Sequence, residues 1–103
     1  MLIEIDGRRL DTSTMPMVGY RDNNSIATHE TWQVENVYLI EGEAEGEPPT
    51  YLLIGEGGPL SDYGHDGQVG SGARILDVEG MEEWMSSAQD FINRSLHRVL
   101  GRV

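Results

Sequence analysis

The chain has no lysine and no cysteine, and its 103 residues include one phenylalanine and seven basic side chains, all arginine. Without cysteine there are no disulfides, thiolate ligands or thiol nucleophiles. Without lysine there is no Schiff-base amine and no phosphate-cradling ammonium. Long hydrophobic runs are also missing, and none approaches the roughly 20 apolar residues of a membrane-spanning helix. Met1-Leu-Ile-Glu-Ile-Asp6 lacks the basic start and apolar stretch of a secretory leader. These absences set the expectation of a cytoplasmic domain with no membrane contact.

What the chain has in excess is acid. Eighteen carboxylates give a formal charge of −11 at neutral pH. Residues 30–90 carry fourteen acids against Arg74 alone, whereas residues 91–103 carry Arg94, Arg98 and Arg102 and no acid. A field of this sign repels phosphate backbones and anionic lipid and attracts basic surfaces. Adaptation to molar salt also favours acidic, lysine-poor surfaces, but it spreads the acids over a whole chain. Here they crowd into the middle.

The apolar residues come in periodic groups, which points to one folded α+β domain over residues 1–103 and not to a disordered acidic tail. Asp6-Gly7 is a two-residue hairpin signal, because a type I′ turn needs positive φ at both central positions. It sets a register of Ile5 with Arg8, Glu4 with Arg9 and Ile3 with Leu10. Met15–Tyr20 reads as an edge strand, since Pro16 cannot donate to a central ladder. Asp22–Ser25 then reads as a turn. Trp32, Val34, Tyr38 and Ile40 share one face of a strand, interrupted by Asn36, with Val37 and Leu39 on the other. Tyr51–Ile54 and Ala73–Val78 read as further strands.

Met81, Trp84, Met85, Ala88, Phe91, Ile92, Leu96, Val99 and Leu100 recur at helical spacing. A helix over about 80–100 is expected, with Gly80 at its N-cap and Gly101 past its end. The expected architecture is a mainly antiparallel four- to six-stranded sheet with this one C-terminal amphipathic helix packed on a face. Between strands and helix, residues 55–72 hold seven glycines, and a loop of that length is usually functional or mobile.

The candidate partner-binding residues are Glu41, Glu43, Glu45, Glu47, Glu56, Asp62 and Asp66. The first four fall at every second position, so an extended stretch would project them from one face about 6.6–6.8 Å apart. Pro48-Pro49 and the alternating glycines favour the plainer reading of a solvated connection. Asp62-x-x-His65-Asp66 mixes oxygen and nitrogen ligands but matches no EF-hand or zinc spacing, so no metal is expected. Gly70-Ser71-Gly72 lacks the Gly-Lys ending of a phosphate loop. His29, His65 and His97 are well separated, and no Gly-x-Ser-x-Gly elbow accompanies them. Neither a catalytic residue nor a cofactor is assigned. The Trp84–Phe91 stripe reads as core, and the three C-terminal arginines as partners for the helix dipole or for the acidic middle.

In size and charge, though through no motif, the chain resembles the nucleic-acid-mimicking inhibitors of viruses and mobile elements, such as anti-CRISPR and anti-restriction proteins. That resemblance implies a small acidic inhibitor that occludes a basic, nucleic-acid-binding surface of a partner protein without itself touching nucleic acid. The alternatives are an immunity or antitoxin-like partner protein, or a structural or assembly accessory of a virus or secretion system.

Overall fold

A computed structural model of the protein describes residues 1–23, 28–42, 44–88 and 90–91. The N-terminal hairpin forms on the register its residues favour. Strand β1 (Leu2–Ile5) pairs antiparallel with β2 (Arg8–Asp11), placing Ile3 opposite Leu10, Glu4 opposite Arg9 and Ile5 opposite Arg8. Asp6 and Gly7 take φ of 51° and 73°, the left-handed pair that a type I′ turn demands. A short 3₁₀ turn over Thr12–Thr14 follows, capped by the Asp11 carboxylate, which accepts from Ser13 N at 3.1 Å.

The remaining strands build a second, four-stranded antiparallel sheet in the order β3-β4-β5-β6: Met17–Asp22, Gln33–Ile40, Thr50–Gly57 and Gly70–Leu76. Strand β3 is an edge, as Pro16 suggested, and β6 is the other edge. The described residues thus contain six strands in two sheets and one helix, an α+β fold. The helix, α1 (Val78–Ser86), begins earlier than Gly80. Asp77 is its N-cap and accepts the Gly80 amide at 2.7 Å, a stronger cap than glycine because the carboxylate satisfies an orphan donor. Helical geometry reappears at Ala88, Asp90 and Phe91, and the rest of the expected helix, with Gly101 and the three C-terminal arginines, lies outside the described residues. No described helix is long and apolar enough to cross a membrane.

Alternation along β4 decides which layer lies where. Gln33, Glu35 and Val37 face α1, and Val37 packs with Leu53, Leu76, Met81 and Trp84 into the core. Fully burying such side chains contributes about 1.5–3 kcal/mol each. Gly19 on β3 makes room for the helix: a Cβ there would lie 2.9 Å from Trp84 Cζ3. Tyr38 and Ile40 face the opposite layer, where Leu52 is fully buried and β1 reaches β6. The two-faced apolar pattern of β4 therefore reflects a strand covered on both sides.

Candidate functional site

The seven candidate carboxylates do not form one row. Strand β4 ends at Ile40, and the chain turns over Ala44–Glu47, where Glu47 N donates to Ala44 O at 3.0 Å and Gly46 adopts φ 82°. Glu47 Oε2 also accepts from Ala44 N at 3.0 Å, closing the turn. Residues 44–47 thus form a tight turn within a solvated connection, the plainer of the two readings, and not an extended row, because Gly46 supplies the left-handed φ that reverses the chain. Glu41, Glu45 and Glu47 are exposed in this connection, and Arg8 of the hairpin lines the same depression as Glu41 and Glu47. Glu43 lies outside the described residues.

Glu56, Asp62 and Asp66 stand at the other end of the sheet. Ile40 pairs with Thr50 and Gln33 with Gly57, so the two ends are seven strand steps apart, about 24 Å. Glu56 is exposed on β5. Asp62 N and Oδ2 are both held by the Gln33 side chain, at 2.9 and 3.1 Å. Asp66 occupies a turn at φ 52° beside Gly67, and its Oδ2 lies 3.2 Å from His65 Nε2 on the exposed surface. Asp62 turns to Gln33 while His65 and Asp66 turn to each other, so the three do not converge on a cation position. A third acidic group, Glu79, Glu82, Glu83 and Asp90, stands exposed along α1 and beyond it. Glu79 lies in the first turn of α1, and the place of Glu82 and Glu83 on the outer side of a half-buried helix needs the fold.

The residue that sequence reading missed is Glu35. It is 5% exposed and sits on the helix face of β4. Arg21 Nε donates to its Oε1 at 2.6 Å, Trp84 Nε1 to the same oxygen at 3.3 Å, and the Tyr63 hydroxyl to Oε2. The guanidinium continues outward, with Nη1 donating to Trp84 O at 2.9 Å and to Ser87 Oγ at 3.1 Å. It also lies 4.5 Å from the ring centroids of both Trp84 and Phe91. A buried carboxylate is tolerable only with such saturation, since the desolvation of an ion costs several kcal/mol. Among the described residues no buried side-chain polar atom lacks a partner.

This cluster also explains the glycines of residues 55–72. Gly55–Gly57 belong to β5 and Gly70–Gly72 to β6, which shortens the true loop to 58–69. Tyr63 crosses over β5 to reach Glu35, and a Cβ on Gly55 would overlap its phenol ring. Trp32 O and Glu30 O hold the loop from beneath, accepting from Gly58 N at 2.9 Å and Leu60 N at 2.8 Å. The loop is therefore a clamped layer, and Gly55 of β5 clears space beneath its Tyr63 ring, while Gly58 and Gly64 pack against the backbone of Glu30 and Pro59. Burial, followed by donation to Glu35, pushes the Tyr63 phenol well above its usual value, so it remains a neutral donor through the physiological range.

Chemically, the cluster is saturated and closed, and it offers no free nucleophile or base to a substrate. The exposed carboxylates offer charge. Compared with known proteins, the chain matches no family model, no curated protein sequence and no solved structure.

Proposed function

We propose that this protein is an acidic inhibitor that occupies a basic surface of a partner protein, one that otherwise engages nucleic acid. The observation that supports it is the imbalance of exposed charge. Among the described residues thirteen carboxylates are exposed, while the exposed basic residues are Arg9 and Arg74 alone. Arg21 is taken up by the buried Glu35 and Arg9 stands 3.4 Å from Glu4, so the exposed carboxylates among the described residues far outnumber the exposed arginines. Such a surface steers association with a cationic partner and opposes contact with phosphate or anionic lipid.

The acids stand in separate groups, at both ends of the sheet and along α1. A partner that wraps the molecule, or a groove about as long as the sheet, suits that spacing better than a single point contact. The candidate residues at the two ends are Glu41, Glu45 and Glu47, and Glu56, Asp62 and Asp66. A cytoplasmic setting, where basic nucleic-acid-handling proteins are met, fits this reading.

A second reading, an assembly accessory, draws on one observation: edge strand β3 exposes Met17, Val18 and Tyr20. Exposed apolar edges join copies of a chain. Light scattering separates the two, because an accessory of that kind oligomerises while the inhibitor remains available to its partner.

The direct test is capture of the partner from the native host at low salt, followed by competition. A duplex oligonucleotide and this protein should displace each other from the captured partner. Capture of a protein with no affinity for nucleic acid, or binding of both at once, would contradict the proposal.

A further inference from the structure

The layer between the N-terminal hairpin and the sheet is not fully closed. A cleft of about 550 Å³ opens there, lined by Met1 and Ile3 of the hairpin side, Asn36 and Tyr38 of β4, Ile54–Glu56 of β5 and Ser71–Ala73 of β6. Its volume lies in the range of ligand-binding clefts. Half of its lining residues are aliphatic or aromatic, Glu56 is the one charged side chain among them, and the Met1 ammonium lies 3.6 Å from Asp11 Oδ1. No arginine lines it. An apolar passage with one carboxylate is complementary to a long aliphatic stem that ends in a cation.

The cleft is bounded by β6, and among the described residues no strand pairs with the outer side of β6. Strand edges are ordinarily blunted by charge, proline or a bulge. Strand β6, Gly70-Ser-Gly-Ala-Arg-Ile-Leu76, has no proline and no carboxylate, and Arg74 is its one charge. Its register with β5 is continuous from Tyr51–Leu76 to Gly57–Gly70, without a bulge. The side chains at its first four positions are hydrogen, hydroxymethyl, hydrogen and methyl, so another backbone can approach closely. Arg74 lies opposite Leu53 on the α1 face, away from the cleft.

We propose that β6 is a docking edge for an extended basic segment of a partner protein, which adds as a fifth strand and inserts an arginine into the cleft beside Glu56. Main-chain hydrogen bonds to β6 supply affinity, and the cleft selects the side chain. An added strand lies two strand spacings from β5, about 9.6 Å, a gap that arginine and glutamate side chains reaching toward each other close. This inference rests on the acidic-inhibitor reading for the sign of the partner's charge.

The test is a titration of the isotope-labelled full chain, followed by NMR, with a synthetic ten-residue peptide alternating arginine and threonine at low salt. The expected result is movement of the amide signals of Gly70–Ala73 and of Ile54–Glu56, with slowed amide exchange along β6. Methylating alternate backbone nitrogens of the peptide should abolish those changes, and Glu56→Gln should weaken binding about fivefold or more. Glu56 is exposed, so that variant should keep the remaining spectrum unchanged. Signals moving only at Glu41, Glu45 and Glu47, indifference to N-methylation, or no shift along β6 at 1 mM peptide would each overturn the docking edge. The acidic-inhibitor reading has a separate readout, displacement of nucleic acid from the captured partner, and stands or falls by that result alone.

Discussion

Replacing Tyr63 by phenylalanine removes the hydroxyl that donates to Glu35 Oε2 and leaves the ring in place. A buried acceptor losing its donor costs about 1–3 kcal/mol, which denaturant titration should show as a lower midpoint at unchanged slope. The same hydroxyl makes stability depend on alkaline pH. Its folded-state pKa is raised above the ordinary value of 10.0, first by burial and then by Glu35. Its contribution is therefore complete below about pH 10 and is lost as pH rises further, because the unfolded chain releases the proton first. Tyr63→Phe should flatten that part of the stability–pH profile, and an unchanged alkaline limb would contradict the assignment. Glu35 itself is poorly legible in sequence. One carboxylate at an alternating position of an apolar strand reads as a solvent-facing residue. Its partners come from 14, 28 and 49 positions away, and only the fold brings them together.

At the scale of elements, Arg21 joins three parts of the molecule: β3 that carries it, β4 through Glu35, and the end of α1 through Trp84 O and Ser87 Oγ. Arg21→Met keeps most of the aliphatic volume and strands the buried carboxylate. Breaking a buried pair from one side typically costs about 3–5 kcal/mol. Adding Glu35→Leu and Tyr63→Phe to Arg21→Met removes the stranded carboxylate together with the hydroxyl that donates to it, and should recover part of that loss. A triple variant no better than Arg21→Met would show that the guanidinium's ring and helix-end contacts carry the stability instead. The N-cap of α1 gives a smaller effect: Asp77→Ala should cost about 1 kcal/mol, with helix signal reduced in circular dichroism.

The elements differ in how readily their sequence discloses them, and for physical reasons. The β1–β2 hairpin was readable to the residue because turn type, charge pairing and apolar pairing all demand one register. The edge position of β3 followed from Pro16, and the helix start was displaced only because Asp77, three residues earlier, caps better than Gly80. The glycine-rich stretch misled, since glycine reads as freedom, whereas here Gly55 admits the Tyr63 ring and Gly58 and Gly64 let backbone segments approach closely. For the alternating glutamates the plainer reading, a solvated connection, is the one that holds. Their period of two suggests a strand, but the Gly46 turn and Pro48-Pro49 end it.

On the scale of the whole molecule, charge is the dominant property and its arrangement the point at issue. The exposed carboxylates are distributed over both ends of the sheet and the outer side of α1, so no single acid of the Glu41–Glu47 connection should dominate binding. Glu45→Gln alone should change affinity less than threefold. Neutralising Glu41, Glu45 and Glu47 together should slow association more than it speeds dissociation, the signature of lost steering. The same triple change should leave stability nearly unaltered, because these side chains lie outside the core.

Recognition driven by surface charge is tested by the affinity for the captured partner across ionic strength. Raising salt from 50 to 300 mM shortens electrostatic reach to well under 10 Å. Affinity should fall at least tenfold, mainly through a slower association rate. An affinity and association rate unchanged over that range would contradict the claim.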